Sequence, residues 1–178
     1  MTSAANSNGP TVHASAVRVG DRAVLIRGPS GAGKSRLALE LILAGRSGQL
    51  PPAVLVGDDR VLLTNRGGEV IVRPAPELAG LIEVRGLGIR RCDYVTEATV
   101  SLIVDLCAAD GARLPEPENL TTTLFGVDLH RIPVLEGFSS LPLIAAYILT
   151  TSGLSDEDVP ADCRKGIRNH ISPTIATK

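Results

Sequence analysis

The chain has 178 residues, and 18 Lys and Arg against 19 Asp and Glu give a formal net charge of −1. That length fits one domain, and near-neutrality argues against a generic polyanion binder. With 44% hydrophobic and 21% charged residues the chain can bury a core, whereas two Phe, two Tyr and no Trp are too few for a base-stacking platform or an aromatic cage, so no nucleic-acid partner is expected.

The amino-terminal MTSAANSNGP has neither the basic nor the apolar region of a secretory signal, and no apolar run reaches membrane-span length. Cys92, Cys107 and Cys163 are odd in number and lack a C-x-x-C spacing, so reduced thiols are expected rather than a zinc site or disulfides. Residues 1–11 read as a flexible tail, 12–153 as one domain and 154–178 as a carboxy-terminal extension of mixed, partly helical character, a docking or oligomer element. No internal repeat is visible.

In chain order, His13 to Val19 reads as a strand, Gly20-Asp21 as a turn and Arg22 to Arg27 as the second strand of a hairpin. Leu37, Leu41 and Ala44 recur at helical spacing within Ser35 to Ala44, and Gly45 is a plausible stop. Ala53 to Val56 reads as a short buried strand closed by Gly57-Asp58-Asp59. Val61 to Thr64 and Glu69 to Val72 flank Asn65-Arg66-Gly67-Gly68, a hairpin turn. Leu81 to Ile89 is an apolar run, and Thr99 to Leu106 is the most apolar strand. Ala108 to Asn119 reads as a loop, Val127 to Leu135 as a strand and Leu141 to Leu149 as a helix. Many strands, several in hairpins, and few helices predict an α/β domain with a mixed sheet rather than a regular βαβ alternation.

Gly28-Pro29-Ser30-Gly31-Ala32-Gly33-Lys34-Ser35 satisfies G-x-x-x-x-G-K-[ST] between a predicted strand and a predicted helix. Glycines let backbone N–H groups turn inward around phosphate oxygens, and the following helix offers its positive end to the anion. Lys34 should reach the outer phosphates and Ser35 should ligate Mg²⁺. The loop implies a nucleoside triphosphate but not a reaction. No N-K-x-D supports guanine selection, and no transport-type ATPase signature follows.

Asp58-Asp59 ends an apolar strand, where acids project toward a crevice. One could accept a proton from an attacking hydroxyl or help hold magnesium; the pair could equally cap a turn. Asp105, inside Ser101-Leu102-Ile103-Val104-Asp105-Leu106, is a competing acid, although its strand continues past it. In Glu83-Val84-Arg85-Gly86-Leu87-Gly88-Ile89 an acid and a base two residues apart share a strand face, and the glycines permit close approach of a ligand; a surface ion pair before a Gly turn would look the same.

Together these stretches resemble the HPr kinase/phosphorylase family in its short form, without the amino-terminal domain. His13 lies 21 residues before Lys34 and Glu83 lies 24 after Asp59, as in the family, and Glu83 to Ile89 matches its signature nearly letter for letter. The resemblance covers Val12 to Leu149. It implies a P-loop core similar to that of phosphoenolpyruvate carboxykinase, cytoplasmic location, hexamers, and ATP- and Mg²⁺-dependent phosphorylation of a serine of the phosphocarrier protein HPr or an HPr-like carrier. Carried over, Gly28 to Ser35 cradle the phosphates, with Lys34 also catalytic, and Ser35 and Glu83 hold Mg²⁺. Asp59 takes the serine proton and returns it in reverse, Asp58 assists, His13 lies near Asp59, and Arg113 is a catalytic arginine on a mobile loop. His130 and His170 have no matched role.

One segment departs from the pattern. Where the family reads Pro-Val-x-Pro-Gly-Arg-Asn, this chain has Pro133-Val134-Leu135-Glu136-Gly137-Phe138-Ser139. An acid near an incoming phosphate would repel it, so the expectation is a kinase with weak or absent phosphorylase activity. Two other readings stay open: a P-loop kinase acting on another hydroxyl acceptor, and a non-catalytic ATP-sensing module in which Asp59 is idle.

Overall fold

The computed structural model describes residues 11–150; of the expected tail at 1–11 only Thr11, in a strand, is described, and the expected extension at 154–178 lies outside the described residues. In chain order the strands are β1 (Thr11–Val12), β2 (Ser15–Val19), β3 (Arg22–Arg27), β4 (Ala53–Gly57), β5 (Val61–Arg66) and β6 (Glu69–Pro74). They continue with β7 (Leu81–Val84), β8 (Gly88–Arg91), β9 (Ala98–Leu106), β10 (Thr121–Leu124) and β11 (Val127–Val134). Two α-helices are described, α1 (Lys34–Arg46) and α2 (Leu141–Leu149).

The main sheet runs β1-β5-β6-β9-β3-β2-β4 and is mixed, as expected. β9 is its trunk. Along one edge it pairs parallel with β3; along the other its start meets β6 antiparallel and its end meets β11 parallel. β4 pairs with β2, not with β3, so the β3–α1–β4 connection skips over β2. Both faces of the sheet are buried, which is why RAVLIR and SLIVDL read as continuous apolar runs. Val24 and Ile26 face α1, packing with Leu37, Leu41 and Leu55, while Ala23 and Leu25 face the curled β5–β6 ribbon with Leu63, Val70 and Val72. A register shift at Ala23/Val24 preserves this alternation by giving β9 two residues where β3 advances one.

Three departures from the sequence reading have local causes. The predicted His13–Val19 strand is interrupted: Thr11–Val12 pairs with β5, Ser15–Val19 with β3 and β4, and His13 sits exposed at the break. The Leu81–Ile89 run is a tight hairpin, β7–β8, turning at Arg85-Gly86-Leu87. Glu83 and Arg85 therefore do not share a strand face, since Arg85 lies in the turn. Finally, β10 was unanticipated. Its signal is three consecutive β-branched residues before Phe125-Gly126, both at positive φ, the geometry that twists a two-residue hairpin correctly.

Candidate functional site

Topology explains why residues distant in sequence converge. β3 and β4 run parallel and β2 runs between them in the opposite sense. The carboxyl ends of β3 and β4 and the amino end of β2 therefore share one rim. β3 delivers Gly28 to Ser35, β4 delivers Asp58-Asp59, and the entry to β2 delivers His13. The β7–β8 hairpin adds Glu83 and Arg85. His13, the phosphate loop from Ser30 to Ser35, Asp59, Glu83 and Arg85 line one crevice of about 530 Å³.

The loop is built for an anion. Gly33 precedes α1 at φ 95° and ψ 22°, a left-handed conformation that turns the chain abruptly into the helix. α1 has no side-chain cap and no acid in its first turn, so its first N–H groups stay available at its positive end. Gly28 has φ 148°, and a Cβ there would meet Leu106 Cβ and O at 3.0 Å. Lys34 is 6% exposed, and its Nζ donates to the carbonyls of Gly28 (2.9 Å) and Pro29 (3.0 Å), leaving one of its three donors unspent. The ammonium is thus folded over its own loop, in reach of whatever the loop encloses.

The adjacent acids have opposite fates. Asp58 is 3% exposed and has both oxygens engaged: Ser15 Oγ donates to Oδ1 at 2.5 Å and the Glu83 N–H to Oδ2 at 3.0 Å. Asp59 is held at φ 66° with its side chain 59% exposed. A non-glycine residue in that region costs on the order of 1 kcal/mol, a strain typical of functional positions. His13 Nε2 stands 3.4 Å from Asp59 Oδ1, and Arg60 Nε 3.7 Å from Oδ2. Asp59 alone of the pair can meet an incoming group.

The remaining candidates lie elsewhere. Arg27 donates to both oxygens of Asp105 at 2.7 Å, and Arg131 Nε adds a third bond at 2.6 Å. Burial pushes the Asp105 carboxyl up, but these bonds outweigh it and hold it below the ordinary range. Arg131 also clasps Asp110 and the Asn119 carbonyl, and its bond to Asp110 leads the causes that raise its own pKa. Asp105 is therefore a brace beneath the phosphate loop, joining the residue before Gly28 to the loop after β9. Arg113 is exposed on that loop and does not line the crevice. Glu136 and Phe138 are exposed in the turn after β11, also outside the lining.

Ser35 and Glu83 share the crevice with Ser30 and Asp59, so its lining offers two hydroxyls and two carboxylates. That donor set fits Mg²⁺, which is bound through one or two carboxylates with phosphate and water oxygens completing its shell. No helix among the described residues is long and apolar enough to cross a membrane.

The chain is 32% identical over 150 residues to the HPr kinase/phosphorylase of Mycoplasma mycoides subsp. mycoides, covering 76% of this chain and 46% of that protein. It is 35% identical over 149 residues to the HPr kinase/phosphorylase of Neisseria meningitidis serogroup C, covering 73% and 44%. The chain thus spans less than half the length of these curated relatives. The structure of the Hpr(Ser) kinase/phosphatase from Coxiella burnetii has the same fold, with a TM-score of 0.62 at 24% identity over 89% of this chain and 99% of that one. The family model described as HPr Serine kinase C-terminal domain matches residues 5–152, and the chain belongs to that family.

Proposed function

We propose that this chain is an ATP-dependent serine protein kinase acting on HPr or an HPr-like phosphocarrier, in the cytoplasm and as a homo-oligomer. The observation that carries the reading is Asp59, exposed beside His13 at an open crevice floored by the phosphate loop. A kinase for a small molecule would bury its acceptor, whereas here the proton acceptor can be reached by a residue on another protein. A sensor with an idle site would not need a strained, exposed carboxylate facing a complete phosphate loop.

In this reading the loop N–H groups and Lys34 Nζ hold the phosphates and offset their charge. Bound Mg²⁺, held by Ser35 and Glu83, would supply further charge neutralisation. Asp59 accepts the proton of the acceptor serine as its oxygen bonds to the terminal phosphorus and the bond to the bridging oxygen breaks. His13 keeps the Asp59 carboxylate oriented. Asp58 assists only indirectly, because both its oxygens are engaged. A role for Arg113 requires its loop to swing over the crevice. Weak or absent phosphorylase activity belongs to the same proposal and rests on the departure at Glu136-Gly137-Phe138-Ser139 alone, since that turn does not line the crevice.

The test is transfer from γ-labelled ATP to purified HPr, by wild type and by Asp59→Asn. Label on a serine with wild type, reduced about a hundredfold or more in the variant, is expected for loss of a general base. ATP binding without label on HPr would overturn the substrate, and an active Asp59→Asn would overturn the base. Pyrophosphate release from phosphoserine-HPr and phosphate at a rate matching the forward reaction would refute the weak-phosphorylase reading.

A further inference from the structure

Ser15 is a fully buried polar residue at the amino end of β2, and its hydroxyl donates to Asp58 Oδ1 at 2.5 Å. A register irregularity in the β2–β4 pairing sets Gly57 opposite Ala16 and so brings Asp58 beside Ser15. The other oxygen of Asp58 accepts the Glu83 N–H at 3.0 Å. A hydroxyl, a buried carboxylate and a peptide N–H thus connect β2, the end of β4 and β7. Among the described residues, β7 and β8 form ladders only with each other. The Asp58 carboxylate therefore does at Glu83 what a neighbouring strand would otherwise do: it fixes the backbone against the main sheet. The chemistry also demands the partner. A buried carboxylate is tolerated when its lone pairs are satisfied, and removing a donor loosens whatever else it holds.

We propose that Ser15 is a positioning residue that sets, through Asp58, where Glu83 stands relative to the phosphate loop and Asp59. This rests on the reading of Glu83 as a holder of Mg²⁺. Outer partners of this kind orient the groups that touch a metal, and their loss typically weakens metal affinity about tenfold or more.

The pair Ser15→Thr and Ser15→Val isolates the hydroxyl, because the two variants share a shape. Three quantities would be read on the full chain: hydrogen exchange of the Glu83 amide without nucleotide or metal, binding of a fluorescent ATP analogue in EDTA, and the Mg²⁺ concentration giving half of the added binding. The valine variant is expected to exchange the Glu83 amide faster and to need about tenfold more Mg²⁺, with binding in EDTA unchanged. The threonine variant should match wild type in all three. If the valine variant does not fold, Ser15→Ala, which removes the hydroxyl without adding volume, takes its place with the same expectations and the same refuting result. Wild-type values in a folded valine variant, for exchange and for Mg²⁺, would overturn the proposal. Faster exchange with Mg²⁺ dependence absent already in the wild type would instead overturn the metal role of Glu83 and leave the tether standing.

Discussion

The arginine-clasped Asp105 offers the sharpest check on the site assignment, because the same residue type at a strand end could have served as a metal-binding acid. Asp105→Ala removes the acceptor of three charge-assisted bonds, two from Arg27 and one from Arg131. It leaves both guanidinium groups against a carboxylate-sized gap. Breaking a buried pair from one side costs about 3–5 kcal/mol. The Arg27 side chain is 29% exposed and water can reach it, so the low end, about 3 kcal/mol, applies here. For a domain of this size each kcal/mol moves the melting temperature about 2–4 °C, which predicts a fall of about 6–12 °C. The carboxyl of Asp105 is held below its ordinary range, burial opposing and the arginine bonds prevailing. Its stabilising contribution is thus complete above the unfolded-state value near ~3.9 and is lost as pH falls through the lower folded value. The wild type and variant melting curves should therefore converge on acidification below about pH 4. The assay is thermal unfolding across pH, with Mg²⁺-dependent nucleotide binding measured on the same samples at 15 °C. An unchanged melting temperature with loss of the Mg²⁺ requirement would refute the brace and make Asp105 a metal ligand.

Other outcomes follow from the same geometry. Gly28→Ala places a Cβ 3.0 Å from Leu106 at φ 148°; it should cost about 2–5 kcal/mol of strain and overpacking and abolish nucleotide binding, checked by denaturant titration and fluorescence. Lys34→Met removes a buried ammonium that caps two loop carbonyls and faces the crevice; nucleotide affinity should fall about 10–100-fold by calorimetry, with the melting temperature changed far less. Leu41→Ala, at 0% exposure under α1, should destabilise by about 2–5 kcal/mol in urea unfolding. Burial raises the Cys92 thiol, so it should alkylate more slowly at pH 8 than a free cysteine and speed up on unfolding, as read by mass spectrometry.

What could be read from the chain alone was local. The loop from Gly28 to Ser35 declares itself because its glycines, lysine and serine are consecutive. RAVLIR, Thr99 to Leu106 and Leu141 to Leu149 announce their elements by unbroken apolarity or helical spacing, and the structure places them within a residue of those limits. The resemblance carried by Glu83 to Ile89 pointed to the family through letters, without reference to shape. Tertiary structure decided what depends on distant partners. Nothing next to Asp58 and Asp59 distinguishes them, yet Ser15, 43 residues away from Asp58, buries the first, and a left-handed turn exposes the second. Asp105 has the sequence context of a catalytic acid and is silenced by Arg27, 78 residues away, and Arg131, 26 away. His13 reads as part of a strand until β1 leaves to pair with β5, which frees it to reach Asp59. Hydrophobic period and turn chemistry act over a few residues. A carboxylate's role depends on which donors the fold brings within hydrogen-bond distance, and that is settled only when the sheet closes.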